Sequence, residues 1–453
     1  MSLDFTPQKK SPGARVRTIQ KRPSDESLFS STPTSDSEAD SAGDIVSKGT
    51  SYPDGGLKAW LVVLGSFSAF FCALSFLNSI GVYQSWISTH QLSSESKGRI
   101  GWIFGFFNFL SYAASLALGP LFDRYGARPL CLAGTALLLT QYILLGFCQQ
   151  YWHFFLCIGV IGGLGACALS TCAIGTVQHW FLHRRGLATG IAICGGSVSG
   201  IFLPLVISKL LEEIGFRWTA IIIGCLLLPF ELAAIIFMET RVTSAPANPW
   251  DSLPNPRLLL QPQEGLIALG LLLVEIGMFI PMTYITSYAI DYGMSQSSSC
   301  HLVTVMNVGS LIGRWAAGFI GDHVGWFNTQ VFILGLGAVS IFAIWLPAEA
   351  NTAALWLFVI VFGIANGSGI SLVPVCLSRL CSTENYGKVY GTVYAFSSIG
   401  SLIGVPLGGV LLQLWGGTYS TLIILAGSGI TAGFACWVGV RVIRGGWSLR
   451  RRL

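Results

Sequence analysis

Charged side chains are scarce in this chain. Only 10% of its 453 residues are Asp, Glu, Lys or Arg, whereas 52% are hydrophobic, and the mean hydropathy is +0.65. A soluble globular domain carries about 25% charged residues. Most of the chain is therefore expected to lie in lipid. No cleaved secretory signal is expected, because the first apolar stretch begins near Ala59 after a long polar segment.

The motifs of several enzyme and binding classes are also missing. The twelve cysteines form no CxxC pair and have no His-rich neighbourhood, which predicts free buried thiols and no metal site. No Ser/His/Asp grouping and no Walker-type Gly-rich Lys motif is present, which argues against an enzyme and against an ATP-driven pump. We expect no cofactor and no nucleic-acid partner, since a net charge of +5 is uninformative in so apolar a chain.

Long apolar windows recur along the rest of the chain. Each is long enough to cross a hydrocarbon core of about 30 Å. They predict an all-α membrane protein with twelve transmembrane helices, at residues 59–86, 99–122, 129–148, 152–178, 186–209, 217–238, 265–290, 301–321, 327–347, 353–378, 387–414 and 418–440.

Composition divides the chain into five parts. The first is rich in Ser, Thr, Pro and acidic residues and cannot bury enough apolar surface to fold. A Pro-rich connection between the sixth and seventh windows predicts a linker between two halves. The expected parts are a disordered cytosolic tail (1–52), an N-terminal six-helix bundle (53–238), a cytosolic linker (239–264), a C-terminal six-helix bundle (265–443) and a basic cytosolic tail (444–453).

Lys and Arg are unevenly distributed between the loops. If the N-terminus is inside, the outer loops hold only Lys97, Arg99, Lys209 and Arg217 of the 26 basic residues. Cytosolic loops of membrane proteins carry an excess of Lys and Arg. Both termini are therefore expected to be cytosolic.

A pattern in the first half recurs in the second. Asn108, Ser111, Gly119, Asp123 and Gly126 are each matched 199 positions later, by Asn307, Ser310, Gly318, Asp322 and Gly325. A second set of pairs, Gly186/Gly387 and Gly190/Gly391, is offset by 201. The repeat predicts two pseudo-symmetric six-helix bundles, an architecture of carriers that rock around a central site.

The two repeated carboxylates are predicted to meet helix ends in the opposite half. Asp123 should lie near Gly387 and Lys388, and Asp322 near Arg185 and Gly186. A carboxylate beside exposed backbone N–H groups and a cation is stabilised by the helix dipole and by hydrogen bonds. Such contacts would latch the inner side shut; the alternative is a pair of ordinary interfacial charges.

Three segments resemble the major facilitator superfamily. Gly119-Pro-Leu-Phe-Asp-Arg-Tyr-Gly-Ala-Arg128 is similar to its loop motif between the second and third helices. Pro53-Asp-Gly-Gly-Leu-Lys-Ala-Trp60 and Trp180-Phe-Leu-His-Arg-Arg-Gly-Leu-Ala-Thr-Gly190 resemble the monocarboxylate-porter branch, especially its fungal members. The resemblance implies a twelve-helix carrier of small organic solutes in which the charged motif residues act in gating, namely Asp54, Asp123, Arg124, Arg128, Arg184, Arg185 and Asp322.

The chain departs from the animal monocarboxylate carriers at two places. Asn78 stands where those carriers have a Lys in the first helix, and Ser310 stands where they have an Asp four residues before an Arg. The Arg itself is present as Arg314. Two of three proton-relay groups are thus missing, which argues against lactate–proton symport but not against a carrier.

Ionisable residues in the middle of apolar windows are candidates for the transport site. Arg314 lies about 12 Å inside the inner face, since it is eight residues before Asp322. It is expected to hold a carboxylate or a structural partner. Glu275 is expected to partner Arg314, to carry a proton, or to be a neutral acid facing a neighbouring helix. Glu231 is expected near the inner interface.

Polar and aromatic residues of other spans are predicted to shape the cavity, namely Asn78 at the entrance, and Tyr284, Asn307, Asn366 and Tyr394. The partners expected are a small-molecule substrate, the lipid bilayer and a coupled proton. The function predicted is secondary transport of a carboxylate-like solute or a secondary metabolite by alternating access, in the plasma membrane or in a vacuolar or other internal membrane. The alternatives are a vitamin importer of the riboflavin type and a non-transporting nutrient sensor on the same fold.

Overall fold

The computed structural model describes residues 52–241, 256–414 and 418–446, and within these ranges the regular structure is entirely helical. Ten helices of the described ranges are long and apolar enough to cross a membrane. One of them, Arg185–Phe237, provides two spans, and the shorter apolar helix Leu57–Ala73 brings the number of spans to twelve. The predicted tails and linker fall largely on the remaining residues and so lie outside the described part of the chain.

The helices group into twelve consecutive spans. In the first half, span 1 is Leu57–Ala73 with the short helices Ser75–Asn78 and Ile80–Thr89, span 2 is Lys97–Ala113 with Ser115–Tyr125, span 3 is Ala127–Leu145, and span 4 runs from Tyr151–Phe154 through a π-helical segment, Phe155–Gly162, to Gly163–Trp180. One continuous stretch, Arg185–Phe237, breaks at Gly215, where φ is 76°, and provides spans 5 and 6.

The second half repeats this arrangement. After a short 3₁₀ turn, Pro256–Leu260, come spans 7 (Pro262–Asp291), 8 (Gln296–Val324), 9 (Trp326–Val339 with the π-helical segment Ser340–Trp345), 10 (Thr352–Leu377), 11 (Tyr386–Leu414) and 12 (Tyr419–Gly445). The predicted fold of twelve helices in two six-helix bundles is confirmed.

Each half has its own packed interior. Span 1 packs on spans 5 and 6, and span 3 packs on span 4; in the second half span 7 packs on span 12, and span 8 on span 10. Stacked and edge-on aromatic rings fill the centres, around Phe76 and Tyr142 in the first half and around Tyr288 and Trp345 in the second. The halves meet where span 2 packs on span 11 and span 5 on span 8.

The repeated motif ends in a glycine because of the turn that follows it. Gly126 has φ 77° and Gly325 has φ 107°, in the left-handed region that residues with a Cβ rarely adopt. Each glycine closes one span and lets the next begin immediately, at Ala127 or Trp326. We call the end of the molecule at which these two turns lie the motif end, and the opposite end the far end.

The eleven cysteines that the structure describes are all free. Most are buried, as predicted, but Cys225 is exposed on span 6, and Cys381 and Cys436 are only partly covered. An exposed thiol on an apolar span needs no polar partner when its surroundings are lipid.

Candidate functional site

Six glycines hold the two halves in backbone contact near the motif end. A Cβ added at Gly119 or Gly391 would lie 2.0 Å from the carbonyl oxygen of Gly387 or Ser115, respectively, in the opposite half. The equivalent residues of the other repeat are as tightly placed: a Cβ on Gly318 would lie 2.3 Å from Gly186 O, and one on Gly190 2.4 Å from Arg314 O. These approaches are too close for any side chain. The repeated glycines therefore allow spans 2 and 11, and spans 5 and 8, to touch along their backbones.

The two repeated carboxylates cap helices across this contact. Asp123 accepts hydrogen bonds from the backbone N–H groups of Gly387 and Lys388, both at 2.8 Å. Asp322 accepts from those of Gly186 at 2.8 Å and Leu187 at 2.9 Å. The first N–H groups of a helix have no partner within the helix, so each carboxylate satisfies two of them in the opposite half. This is the placement that the sequence repeat predicts.

The side chain of Arg185, the cation predicted beside Asp322, hydrogen-bonds to other groups. Arg185 is buried, and its guanidinium donates to Phe181 O at 2.7 Å, to Gln178 O at 3.0 Å and to Ser378 Oγ at 2.9 Å. The free carbonyls at the end of span 4 outcompete the carboxylate for this side chain, because they lack helical partners. Arg185 thus ties span 4 to the end of span 10, which is another contact between the halves.

The other motif arginines lie at the surface of the motif end. Arg124, Arg128 and Arg184 are exposed, and the guanidinium of Arg124 lies 5.2 Å from the ring centroid of Tyr125. They are placed to meet solvent or lipid head groups rather than the cavity.

Asp54 fastens the segment before span 1 to the loop between spans 4 and 5. Its carboxylate accepts from the N–H groups of Leu182 at 2.6 Å and His183 at 2.8 Å, and lies 2.9 Å from His183 Nδ1. Burial raises the pKa of Asp54, but the hydrogen bonds from His183 and Leu182 outweigh it and hold the pKa below the ordinary value. The two segments that resemble the fungal branch are therefore in direct contact.

Replacing Asp54 by asparagine should lower stability by about 1 kcal/mol at neutral pH, since charge-assisted bonds at a half-exposed site are lost. Because the folded pKa is depressed, this contribution is present above the ordinary Asp pKa of about 3.9 and is lost as the pH falls through the folded pKa. Thermal unfolding in detergent should show the difference at pH 7 and its progressive loss as the pH falls below about 3.9. A difference that stays constant as the pH is lowered below that value would assign the effect to shape rather than charge.

A cavity of about 110 Å³ lies between the halves, on the far-end side of the glycine contacts. Six of the predicted residues line it: Asn78, Glu275, Asn307, Arg314, Asn366 and Tyr394. Most of the remaining wall is apolar and aromatic, with Phe70, Phe279 and Phe362 among the lining residues.

Arg314 is buried in the wall of this cavity. Its Nη1 donates to the carbonyl oxygen of Ile193 on span 5 at 2.7 Å, across the interface between the halves, while its Nε has no hydrogen-bond partner in the part of the chain that the structure describes. Ser115 occupies the equivalent place in the first half, where its hydroxyl donates to Gly391 O at 3.1 Å. The guanidinium is thus present in only one of the two repeats, so the fold common to both does not require it. It retains hydrogen-bond donors that a ligand can use.

The structure bears on the three alternatives predicted for Glu275 and on the position predicted for Glu231. Within the described residues Glu275 makes no ion pair with Arg314; both line the cavity, and Glu275 Oε2 has no partner. Glu231 is predicted at the interface, but it is wholly buried inside the first half, and neither carboxyl oxygen has a partner among the residues of ranges 52–241, 256–414 and 418–446. Glu231 lies near the end of span 6, which suggested an interfacial position. Its side chain, however, is on the face of span 6 that points into the bundle.

Tyr284 is the predicted cavity residue that the structure places elsewhere. It packs beside Gly408 and Gly409 of span 11 rather than in the cavity wall. In contrast, four residues that were not predicted from the sequence line the cavity, namely Tyr112, Tyr390, Gln330 and Trp437. Tyr112 stacks on Tyr394 across the halves with centroids 5.9 Å apart. Tyrosines in the middle of apolar windows could have indicated cavity residues. The sequence does not show, however, which face of a helix points inward.

Comparison with known proteins agrees with this geometry. The sequence matches the Major Facilitator Superfamily over residues 63–392 and 331–451. It is 32% identical over 401 residues to the MFS transporter asaE of Aspergillus flavus, covering 88% of this chain and 90% of the relative. Identity is 30% over 431 residues to the riboflavin transporter MCH5 of Saccharomyces cerevisiae (90% and 82% covered) and 31% over 395 residues to the fujikurins efflux protein of Gibberella fujikuroi (86% and 84%).

Solved structures of similar fold are known. The Escherichia coli fucose:proton symporter FucP superposes with a TM-score of 0.66 at 15% identity, covering 84% of this chain and 98% of that one. The human organic anion transporter MFSD10 gives 0.65 at 15% identity, covering 84% and 100%. At this identity the likeness concerns the fold alone.

Proposed function

The chain belongs to the major facilitator superfamily and is a secondary transporter of small solutes, and from that premise we propose that it carries an aromatic or largely apolar organic carboxylate by alternating access. The observation that supports this most is the cavity between the halves, in which one buried guanidinium stands among aromatic rings. A guanidinium binds a carboxylate through two parallel hydrogen bonds. As a transporter, the chain is not an enzyme.

In this proposal the motif end is a gate, and the structure has this gate closed. Opening it requires the glycine contacts to part and the four N–H groups bound by Asp123 and Asp322 to be released. The bond from Arg314 to Ile193 O also crosses the interface. A substrate carboxylate that takes over the guanidinium would remove this bond, and so would favour opening only when the site is occupied.

We further propose the boundaries and orientation expected from the sequence. The bundles are 53–238 and 265–443, joined by a linker at 239–264, with a tail at 1–52 and a basic tail at 444–453, and the motif end faces the cytosol. The distribution of Lys and Arg supports this orientation. The membrane proposed is the plasma membrane.

We place the chain in the monocarboxylate-porter branch, with a substrate larger than lactate. The contact of Asp54 with the loop before span 5 supports the branch, because it joins the two segments that carry the resemblance. The relative named as a riboflavin transporter supports a solute larger than lactate. The aromatic wall of the cavity agrees with such a solute.

Flux measurements on purified chain in proteoliposomes test the proposal, with 4-phenylbutyrate as carboxylate probe and riboflavin as uncharged aromatic probe. We expect saturable counterflow of 4-phenylbutyrate above that of protein-free liposomes. Movement of riboflavin alone would overturn the carboxylate class and favour a vitamin carrier. Movement of neither, in protein shown to be folded, would count against both classes.

Proton coupling through Glu275 makes a separate prediction. The side chain is buried in the cavity wall with one carboxyl oxygen unpartnered, so its burial as an anion is costly. Glu275→Gln should lose accumulation driven by a pH gradient while exchange of 4-phenylbutyrate continues. An accumulation that responds to the gradient as in the parent would exclude Glu275 as the proton carrier.

A further inference from the structure

The cavity extends beyond the interface into the second half. Besides residues that face the first half, its wall includes Leu271 of span 7, Ile333 and Leu334 of span 9 and Ile430 of span 12. Spans 9 and 12 pack on each other within the second half. The cavity therefore has a side chamber, which we define by Leu271, Gln330, Ile333, Ile430 and Trp437.

Two glycines keep this chamber open. A Cβ added at Gly337 would come no closer than 3.7 Å to Ala365 Cβ, and one at Gly369 would meet only Gln330 Nε2, at 3.9 Å. Both glycines line the cavity. They differ from the six glycines of the gate, where a Cβ would strike backbone at 2.0–2.7 Å. Their lack of side chains leaves space instead of bringing helices together.

Two residues that line the chamber carry unpartnered polar groups. Gln330 Oε1 and Trp437 Nε1 are buried, with whole-residue exposures of 1% and 0%, and neither atom has a hydrogen-bond partner among the described residues. Buried polar atoms are nearly always hydrogen-bonded to protein, water or ligand. The position equivalent to Gln330 in the first half is Cys131, 199 residues earlier, so the repeat itself does not require an amide here.

Both side chains line the same cavity, Gln330 from span 9 and Trp437 from span 12, and these two spans pack on each other. Trp437 packs near Phe327 with ring centroids 6.2 Å apart. Gln330 is three residues further along span 9, and residues three apart share a face of a helix. One hydroxyl group can accept from an indole N–H and donate to an amide oxygen at the same time.

We propose that this chamber is a second subsite, which binds the hydrogen-bonding far end of an elongated, largely apolar substrate whose carboxylate lies at Arg314. The inference rests on the proposed function, since it takes the guanidinium as the anchor of the carboxylate. It adds a length and a terminal group to the substrate class: an apolar chain or ring system with a hydroxyl or similar group at the end away from the carboxylate.

The geometry sets the expected length. Arg314 lies eight residues from the motif-end residue Asp322, and Gln330 lies four residues from Trp326, which starts the next span. At 1.5 Å per residue the axial offset is about 6 Å, and with a helix separation of 8–10 Å the backbones at the two residues are roughly 10–12 Å apart. Both side chains line the cavity, so a series of probe lengths identifies the one that bridges their end groups.

Binding to the purified full-length chain tests the subsite with paired probes: ω-phenylalkanoates and ω-(4-hydroxyphenyl)alkanoates of increasing chain length, with benzoate as the short reference. We expect the hydroxyl to tighten binding about fivefold at the one length that reaches Gln330 and Trp437, and not in shorter pairs. If the hydroxyl gives no gain at any length, the subsite is absent, even when the short carboxylates bind and are transported.

Four variants keep the test independent of folding. Gln330→Leu and Trp437→Phe should remove the gain from the hydroxyl, measured within each variant as the ratio of the affinities of the paired probes with and without it. Gly337→Leu should fill the chamber and weaken the long probes about tenfold or more, whereas Gly335→Leu on the same span, outside the cavity wall, should not. Retention of the hydroxyl gain in Gln330→Leu and Trp437→Phe would overturn the assignment of these groups. Failure of benzoate itself to bind would instead count against the Arg314 anchor.

Discussion

Replacement of Gly391 by alanine is expected to reduce transport about hundredfold or more while both bundles remain folded. The added Cβ would lie 2.0 Å from Ser115 O, which belongs to the opposite half. Neither backbone can yield, because interiors are close-packed. The two halves must therefore separate at the motif end, and the closed state becomes inaccessible. Counterflow in proteoliposomes measures the loss.

Matched variants distinguish gate closure from general damage. Gly119→Ala should reproduce the loss, since its Cβ would lie 2.0 Å from Gly387 O. Gly105→Ala, on the same span 2 but with no heavy atom within 4 Å, should transport like the parent. Parental flux in Gly391→Ala would show that this backbone contact does not form during transport.

Arg314→Ala is expected to lower the transport efficiency for 4-phenylbutyrate by about hundredfold or more. A bidentate carboxylate makes two bonds to a charged group, worth about 1.5–3 kcal/mol each. Arg314 is buried, so water replaces these bonds poorly. Initial rates of 4-phenylbutyrate uptake over a range of concentrations give the efficiency.

Arg314→Lys is the informative companion variant. It keeps the positive charge but loses the planar fork and its rigid pair of donors. We expect it to transport better than Arg314→Ala and worse than the parent. Parental efficiency in Arg314→Ala, at equal expression and correct insertion, would remove Arg314 from the site.

The repeated features of the sequence were the most predictive. Because the halves are related by duplication, a pair such as Asp123 and Asp322 has to make the same kind of contact twice, and the sequence identified both partners as helix starts. The twelve spans followed from hydropathy, since a bilayer fixes how long an apolar helix must be. These inferences needed only spacing and composition.

Side-chain direction within the membrane could not be predicted in the same way. An apolar span is hydrophobic on its lipid face and on its buried face alike, so periodicity does not show which face is inward. For this reason Tyr284 was expected in the cavity and Tyr112 was overlooked. Glu231 was misplaced for the same reason. Arg185 was misassigned because the competing carbonyls of Gln178 and Phe181 become apparent only once span 4 is known to end there.

In the alternating access proposed here, the motif end opens as the far end closes, and the reverse. Double electron–electron resonance measures it, with spin labels at the exposed residues Arg128 and Glu384 for the motif end and Gln149 and Ala350 for the far end, after the exposed Cys225 is replaced by serine. We expect Gly391→Ala to lengthen the Arg128–Glu384 distance and to shorten the Gln149–Ala350 distance, whereas Gly105→Ala should change neither. Unchanged distances in a transport-deficient Gly391→Ala variant would contradict this mechanism.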